Sequence, residues 1–279
     1  MTLATLSQVL QPALRDGYAV PGLVCLGWED ARAFTLAAQA VQAPVILQAG
    51  PGARAHMPVA VWGAMFRHLA ASVDVPVVAH LDHGHRMEEC RAALDAGFTS
   101  VMFDGSALPL QANIDATAAV VALARAAGAS CEGEIGFVGY AGGAASAGTD
   151  PAEAARFATD TAVDALAISV GNLHLQTDEG AGLDLDRLRA IEAATAVPLV
   201  IHGGSGVPLA QRASLAANSR ICKFNIGTEL RQSFGAALRE TLANDPRLFD
   251  RIAILGSTES ALQDRAEWVL RNLGAAGRG

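Results

Sequence analysis

The chain has 279 residues, of which 51% are hydrophobic but only 5% aromatic, and its formal net charge is −8. An acidic chain with no basic stripe argues against nucleic acid as a partner, and no apolar run reaches the ~20 residues of a membrane-spanning helix. The opening MTLATLSQVLQPALRDGYAV lacks the basic start and long apolar stretch of a secretion signal, so a cytoplasmic protein without a membrane partner is expected.

In chain order, that opening stretch reads as an amphipathic N-terminal helix. Short β-like runs then alternate with helical segments. The predicted strands are Tyr18–Cys25, Pro44–Gln48, Pro76–Asp82, Thr99–Phe103, Ser130–Glu134, Ala165–Val170, Pro198–His202 and Ile221–Ile226. Most are continuous apolar runs rather than alternating ones, as strands buried on both faces should be. Met87–Ala96, Thr117–Ala127, Pro151–Thr159 and Leu185–Ala194 carry apolar residues at helical spacing. Asp150-Pro151 reads as an N-cap followed by proline in the first turn. A helical segment follows the last strand. Eight βα units predict an α/β fold of the (β/α)8 TIM barrel type, one domain over residues 1–279, since such barrels exceed the common domain length without dividing.

The strand endings strengthen the closed barrel. Gln48, Asp82, His83, Asp104, Glu132, Glu134, His174, His202 and Asn225 all fall at or just past predicted strand ends. In a barrel those ends ring one mouth, where active sites sit. The Gly/Ala-rich stretch Gly139–Gly148 is expected as a loop over that mouth. The four cysteines, Cys25, Cys90, Cys131 and Cys222, form no CxxC pair and read as buried thiols.

Three histidines stand out: His83 in HLDHGH, His174 in VGNLHL and His202 in VIHGGSG. Three imidazoles from three strand ends suit an open metal site, zinc or another divalent ion. Any one of them alone is more simply a hydrogen-bonded histidine. His80 lies within a strand and is expected inside the barrel. His85 is expected to support a ligand, and His56 and His68 to face solvent. Asp82, next to His83, has the chemistry to pass a proton to or from a substrate hydroxyl, or else to orient a histidine. Asp104 and Glu134 suit a second cation, a ligand-orienting role or a plain ion pair. HGGSG and NIGTEL end the last two strands. Gly203, Gly204, Ser205, Asn225, Ile226, Gly227 and Thr228 there form the expected phosphate site, where barrels commonly place one.

VPVVAHLDHGHRMEECRAALDAGFTSVMFDGSALPLQANI, CEGEIG, VDALAISVGNLH, PLVIHGGSGVP and ICKFNIGTEL, in this order, resemble class II ketose-bisphosphate aldolases of the fructose- and tagatose-bisphosphate type. The likeness runs from about Tyr18 to about Phe234 and is most specific in HLDHG and HGGSG. It implies zinc at His83, His174 and His202, and Asp82 as catalytic acid/base. It places Asp104 and Glu134 near an alternative metal position. It implies the phosphate of dihydroxyacetone phosphate on Gly203–Ser205 and Asn225–Thr228, with a monovalent cation beside it. A homodimer or homotetramer is expected. The likeness marks four departures: Leu175 where the family has glycine, Val24 for asparagine, Gly50 for serine, and no glutamate between Ile135 and Thr149 to exchange the donor-carbon proton.

The leading expectation is a metal-dependent aldolase that cleaves or forms a C–C bond in a sugar or sugar-phosphate ketose through a metal-stabilised enediolate, and not an ordinary fructose-1,6-bisphosphate aldolase. The alternatives are a metal-dependent isomerase or lyase using the same enediolate, and a non-catalytic companion subunit that keeps fold and metal. A Schiff-base route through Lys223, the chain's only lysine, ranks last.

Overall fold

The computed structural model describes residues 2–139, 143, 145–177, 180 and 182–279. Eight parallel strands close on themselves in sequence order. They are β1 (Val20–Val24), β2 (Val45–Ala49), β3 (Val77–Gly84), β4 (Ser100–Phe103), β5 (Ser130–Ile135), β6 (Ala165–Ile168), β7 (Leu199–Ile201) and β8 (Ile221–Ile226). Closure is made by β8 against β1, with Val20 opposite Lys223 and Gly22 opposite Asn225. All eight strands lie within the predicted runs or within two residues of them. The wholly apolar β6 (ALAI) and β7 (LVI) reflect burial against the barrel interior on one face and helices on the other.

Helices follow each strand. Met87–Asp95, Pro151–Thr161 and Leu185–Ala194 match the predicted segments closely, whereas Thr117–Ala127 is only the C-terminal part of a longer helix, Leu110–Ala126. Asp150 caps its helix as expected, accepting from the N–H groups of Ala152 and Glu153, with Pro151 in the first turn. The N-terminal helix, Leu6–Asp16, opens on a Thr5/Gln8 capping box. It lies across the end of the barrel opposite the mouth. Ser7 N–H donates to Ser130 Oγ at 3.0 Å, and Thr99 Oγ1 donates to the Ala4 carbonyl at 2.6 Å. The C-terminal helical segment comprises Thr228–Asn244, Arg251–Gly256 and Glu259–Asn272. Among the described residues no helix is long and apolar enough to cross a membrane.

Two features of the strands prepare the mouth. β3 was expected to end at Asp82 but runs to Gly84, because its pairing with β4 shifts register between Leu81 and Gly84. Such an irregularity redirects side chains, and here it carries Asp82 and His83 to the mouth. The barrel interior, in turn, contains an ion pair beside an imidazole: Glu132, Lys223 and His80 are all fully buried. His80 therefore lies where it was expected. The four cysteines are free and buried.

Candidate active site

Asp82 and His83 come from the end of β3, Asp104 follows β4, Glu134 lies in β5, His202 follows β7 and Asn225 lies in β8. The His83 backbone is left-handed, with φ of 48°, which a non-glycine residue adopts only when its surroundings hold it there. Arg54, in the short helix after β2, supplies that hold. Its Nη1 donates to the carbonyls of Ala49 at 2.7 Å and Asp82 at 2.6 Å, and its Nη2 donates to that of His83 at 3.0 Å. The Asp82 side chain accepts from Asn225 Nδ2 at 3.1 Å. Gly50 leaves the other carboxylate oxygen open: a Cβ there would lie 3.4 Å from Asp82 Oδ2.

The rings of His83, His174 and His202 converge, with centroids 5.2, 4.7 and 5.7 Å apart pairwise. One nitrogen from each lies within 4.8 Å of the others. The Nδ1 of His202 is buried and, among the described residues, has no hydrogen-bond partner. Burial, then the charge on His83, lowers His174 to about 4 and drives His202 well below its ordinary value, so both rings are neutral at pH 7. For His83 burial also opposes charge, but Asp82, Asp104 and Glu134 outweigh it and lift the ring to about 10. The carboxylates thus favour positive charge at this spot. Two neutral imidazoles, an orphaned buried nitrogen and a field that favours a cation fit a divalent ion.

Asp104 and Glu134 form a second grouping with His83, again with ligand atoms within 4.8 Å of one another. Asp104 Oδ2 lies 2.7 Å from His83 Nδ1. Burial opposes the Asp104 charge, but the His83 ring and Ser106 hold this carboxyl far below the usual range. Burial, then Asp104, raises Glu134 to about 8. Its Oε2 is buried without a hydrogen-bond partner among the described residues, 3.8 Å from His83 Nδ1 and 3.6 Å from His202 Nδ1. His85 is exposed, with Nδ1 3.4 Å from the Asp104 carbonyl. His56 and His68 are exposed, as expected.

A cavity of about 310 Å³ opens over Asp82, His83 and His174. Of the expected phosphate residues, Gly203, Ser205, Asn225, Gly227 and Thr228 line it. Gly204 and Ile226 do not; the Ile226 side chain is buried, and a Cβ on Gly204 would meet its Cδ1 at 3.0 Å. Ser205 Oγ is in part committed elsewhere, since it accepts from the N–H groups of Gly227 at 3.3 Å and Glu229 at 3.4 Å. Leu175 stands at the rim, 51% exposed, with φ of 57°. In the loop after β5, Tyr140–Gly142 and Ala144 lie outside the described residues, as do Asp178 and Glu179 in the loop after β6. The base of the first loop is pinned: Ser146 Oγ accepts from Gly139 N–H at 2.9 Å, and Gly139 accepts from His174 N–H at 2.8 Å.

Three residues near the site escape a sequence reading. Arg54 lies in a helix of 6 residues, too short to show periodicity. Asn172 sits in a loop, where its Nδ2 donates to the His202 carbonyl at 3.0 Å. Arg231, on the first turns of the helix after β8, lines the cavity and also a neighbouring one of about 460 Å³. Only its position, a short step beyond NIGTEL, hinted at it.

Comparison with known proteins agrees with this architecture. The family model for fructose-bisphosphate aldolase class-II matches residues 4–278. A fructose-bisphosphate aldolase of Geobacillus stearothermophilus is 34% identical, the alignment covering 100% of this chain and 99% of the relative. A 6-phospho-5-dehydro-2-deoxy-D-gluconate aldolase of Shouchella clausii is 37% identical, covering 100% and 97%. The crystal structure of the YdjI aldolase from Escherichia coli K12 superposes with a TM-score of 0.88 at 29% identity, covering 99% of each chain. The chain belongs to the class II fructose-bisphosphate aldolase family.

Proposed function

We propose that this class II aldolase is metal-dependent and makes or breaks a C–C bond in a ketose phosphate other than fructose 1,6-bisphosphate. The observation that supports this most is the Asp82 carboxylate, held by Asn225 beside three converging imidazoles at the barrel mouth. His83, His174 and His202 would hold the ion, zinc or another divalent metal. When bound, it supplies Lewis-acid stabilisation of the enediolate left by C–C cleavage.

The remaining chemistry belongs to the protein. Asp82 takes the proton from the hydroxyl whose oxygen becomes the aldehyde, and returns it in the synthetic direction. Asn225 keeps one carboxylate oxygen occupied and so aims the other at the cavity. Gly203, Ser205 and the start of the helix after β8 offer donors to a phosphate. Arg231 offers a guanidinium between the two adjoining cavities, suited to an anionic group on the far end of the substrate. On the donor side, Val24 and Gly50 bring no polar side chain, and Leu175 projects apolar surface. A charge-assisted hydrogen bond contributes roughly 1.5–3 kcal/mol, so each lost partner costs about ten- to a hundred-fold.

The test is a coupled assay for triose phosphate or aldehyde release over phosphorylated and unphosphorylated ketoses, with and without chelator. Cleavage of at least one ketose phosphate that stops with chelator and returns with zinc is expected. Fructose 1,6-bisphosphate should fall below about 10⁴ M⁻¹s⁻¹ in kcat/KM, the low end of ordinary enzymes. Efficient cleavage of that sugar, or cleavage indifferent to chelator, contradicts the proposal.

A further inference from the structure

Lys223 is the chain's only lysine, yet the chemistry above leaves it without a task. Its ammonium is fully buried inside the barrel, so it is closed to substrate. Nζ instead lies 2.7 Å from Glu132 Oε2 and 3.4 Å from His80 Nε2. The other Glu132 oxygen, Oε1, lies 3.0 Å from His202 Nε2. His80 is held from behind by Ser100 Oγ at 2.8 Å from its Nδ1. All of these side chains are fully buried.

A neutral imidazole carries one N–H, and the hydrogen bond made by one nitrogen decides which nitrogen bears it. A carboxylate only accepts, so Glu132 draws the proton of His202 onto Nε2. That leaves the lone pair on Nδ1, the nitrogen that has no hydrogen-bond partner among the described residues and has Glu134 Oε2 at 3.6 Å. A lone carboxylate in the barrel interior would be strongly disfavoured. Lys223 supplies its compensating charge, and reaches it from β8, across the barrel from β5.

We propose that Lys223, acting through Glu132, fixes the His202 tautomer with Nδ1 free for metal, which makes both of them positioning residues for metal binding. This rests on reading His83, His174 and His202 as metal ligands. The decisive variant is Glu132→Leu with Lys223→Met, which removes both charges together and leaves no unpaired ion. Its partner is Glu132→Gln with Lys223→Met, which keeps an acceptor for Nε2–H.

Zinc affinity would be measured against a competing chromophoric chelator, folding by circular dichroism, and the tautomer by ¹⁵N NMR of labelled histidines with and without zinc. The folded Leu/Met protein should bind zinc about 10- to 100-fold more weakly, the usual effect of losing a ligand's orienting partner. The Gln/Met protein should retain most of the affinity. Wild-type zinc affinity and an unchanged His202 signal in the folded Leu/Met protein overturn the proposal. So does a wild-type spectrum with the proton on Nδ1, for which no variant need fold. Failure of the metal reading is read separately: His174→Ala would then bind zinc as tightly as wild type, while the metal-free tautomer measurement still judges Lys223 and Glu132.

Discussion

Leu175 is a bulky residue in backbone geometry that suits glycine. A left-handed conformation costs a non-glycine residue about 1–2 kcal/mol, whereas glycine gives up about 0.5–1 kcal/mol through its extra freedom in the unfolded chain. Leu175→Gly should therefore leave stability unchanged or raise it by up to about 1.5 kcal/mol in urea unfolding. It should also lower KM for ketose phosphates by clearing the rim. Destabilisation beyond about 1 kcal/mol would show that the half-exposed side chain is packing usefully. Asp82 is the complementary case, a residue whose worth is chemical. Asp82→Asn keeps its shape and its contact with Asn225, so zinc content and thermal midpoint should hold while kcat falls by about 10²- to 10⁴-fold. Wild-type turnover in that variant would assign Asp82 to structure.

At the level of elements, the Arg54 fork ties a short helix to the ends of β2 and β3 by three bonds to carbonyls. Arg54→Met should cost at least the ~1.5–3 kcal/mol of one charge-assisted bond. It should weaken zinc binding too, because His83 loses the clamp on its left-handed backbone. Arg54→Lys keeps the charge but not the planar fork, so it should restore only part of both; full recovery by lysine would show that charge alone matters. Arg54 also shows the limit of legibility. The barrel was readable because most of the buried strands are largely apolar runs and the mouth residues lie at or just past their ends. The three histidines and Asp82 were visible for that reason. Arg54 and Asn172 act on backbone carbonyls from loops and a single-turn helix, where no periodic pattern marks them. The extension of β3 to Gly84 was hidden as well, since the register shift depends on β4 and not on the local sequence. The place of Ile226 in NIGTEL points to the phosphate site, but a strand alternates its side chains, and this one faces the core.

For the molecule as a whole, the imidazole cluster predicts a two-sided pH response in chelator-treated protein. His174 sits at about 4 in the fold, against ~6.5 unfolded. As pH falls from 6.5 toward 4, the unfolded chain takes up a proton before the folded one, so stability is lost. His83 sits at about 10. Its contribution is complete below 6.5 and is lost as pH rises toward 10, because the fold then keeps a proton that the unfolded chain has released. Calorimetry from pH 4 to 10 should show both declines. Added zinc should flatten the alkaline one, since the ion supplies positive charge at any pH. An alkaline decline that persists unchanged in His83→Gln would contradict this assignment.

The buried position of the only lysine has a consequence for the outer surface. Aldolases handle free aldehydes, and aldehydes condense with exposed amines to give imines that rearrange into lasting adducts. With Lys223 enclosed in the barrel and arginine supplying the other basic side chains, the exterior presents no lysine amine to such products. Prolonged incubation with glyceraldehyde should therefore add little mass to lysine-bearing peptides of the folded protein, and should add it readily once urea has opened the barrel.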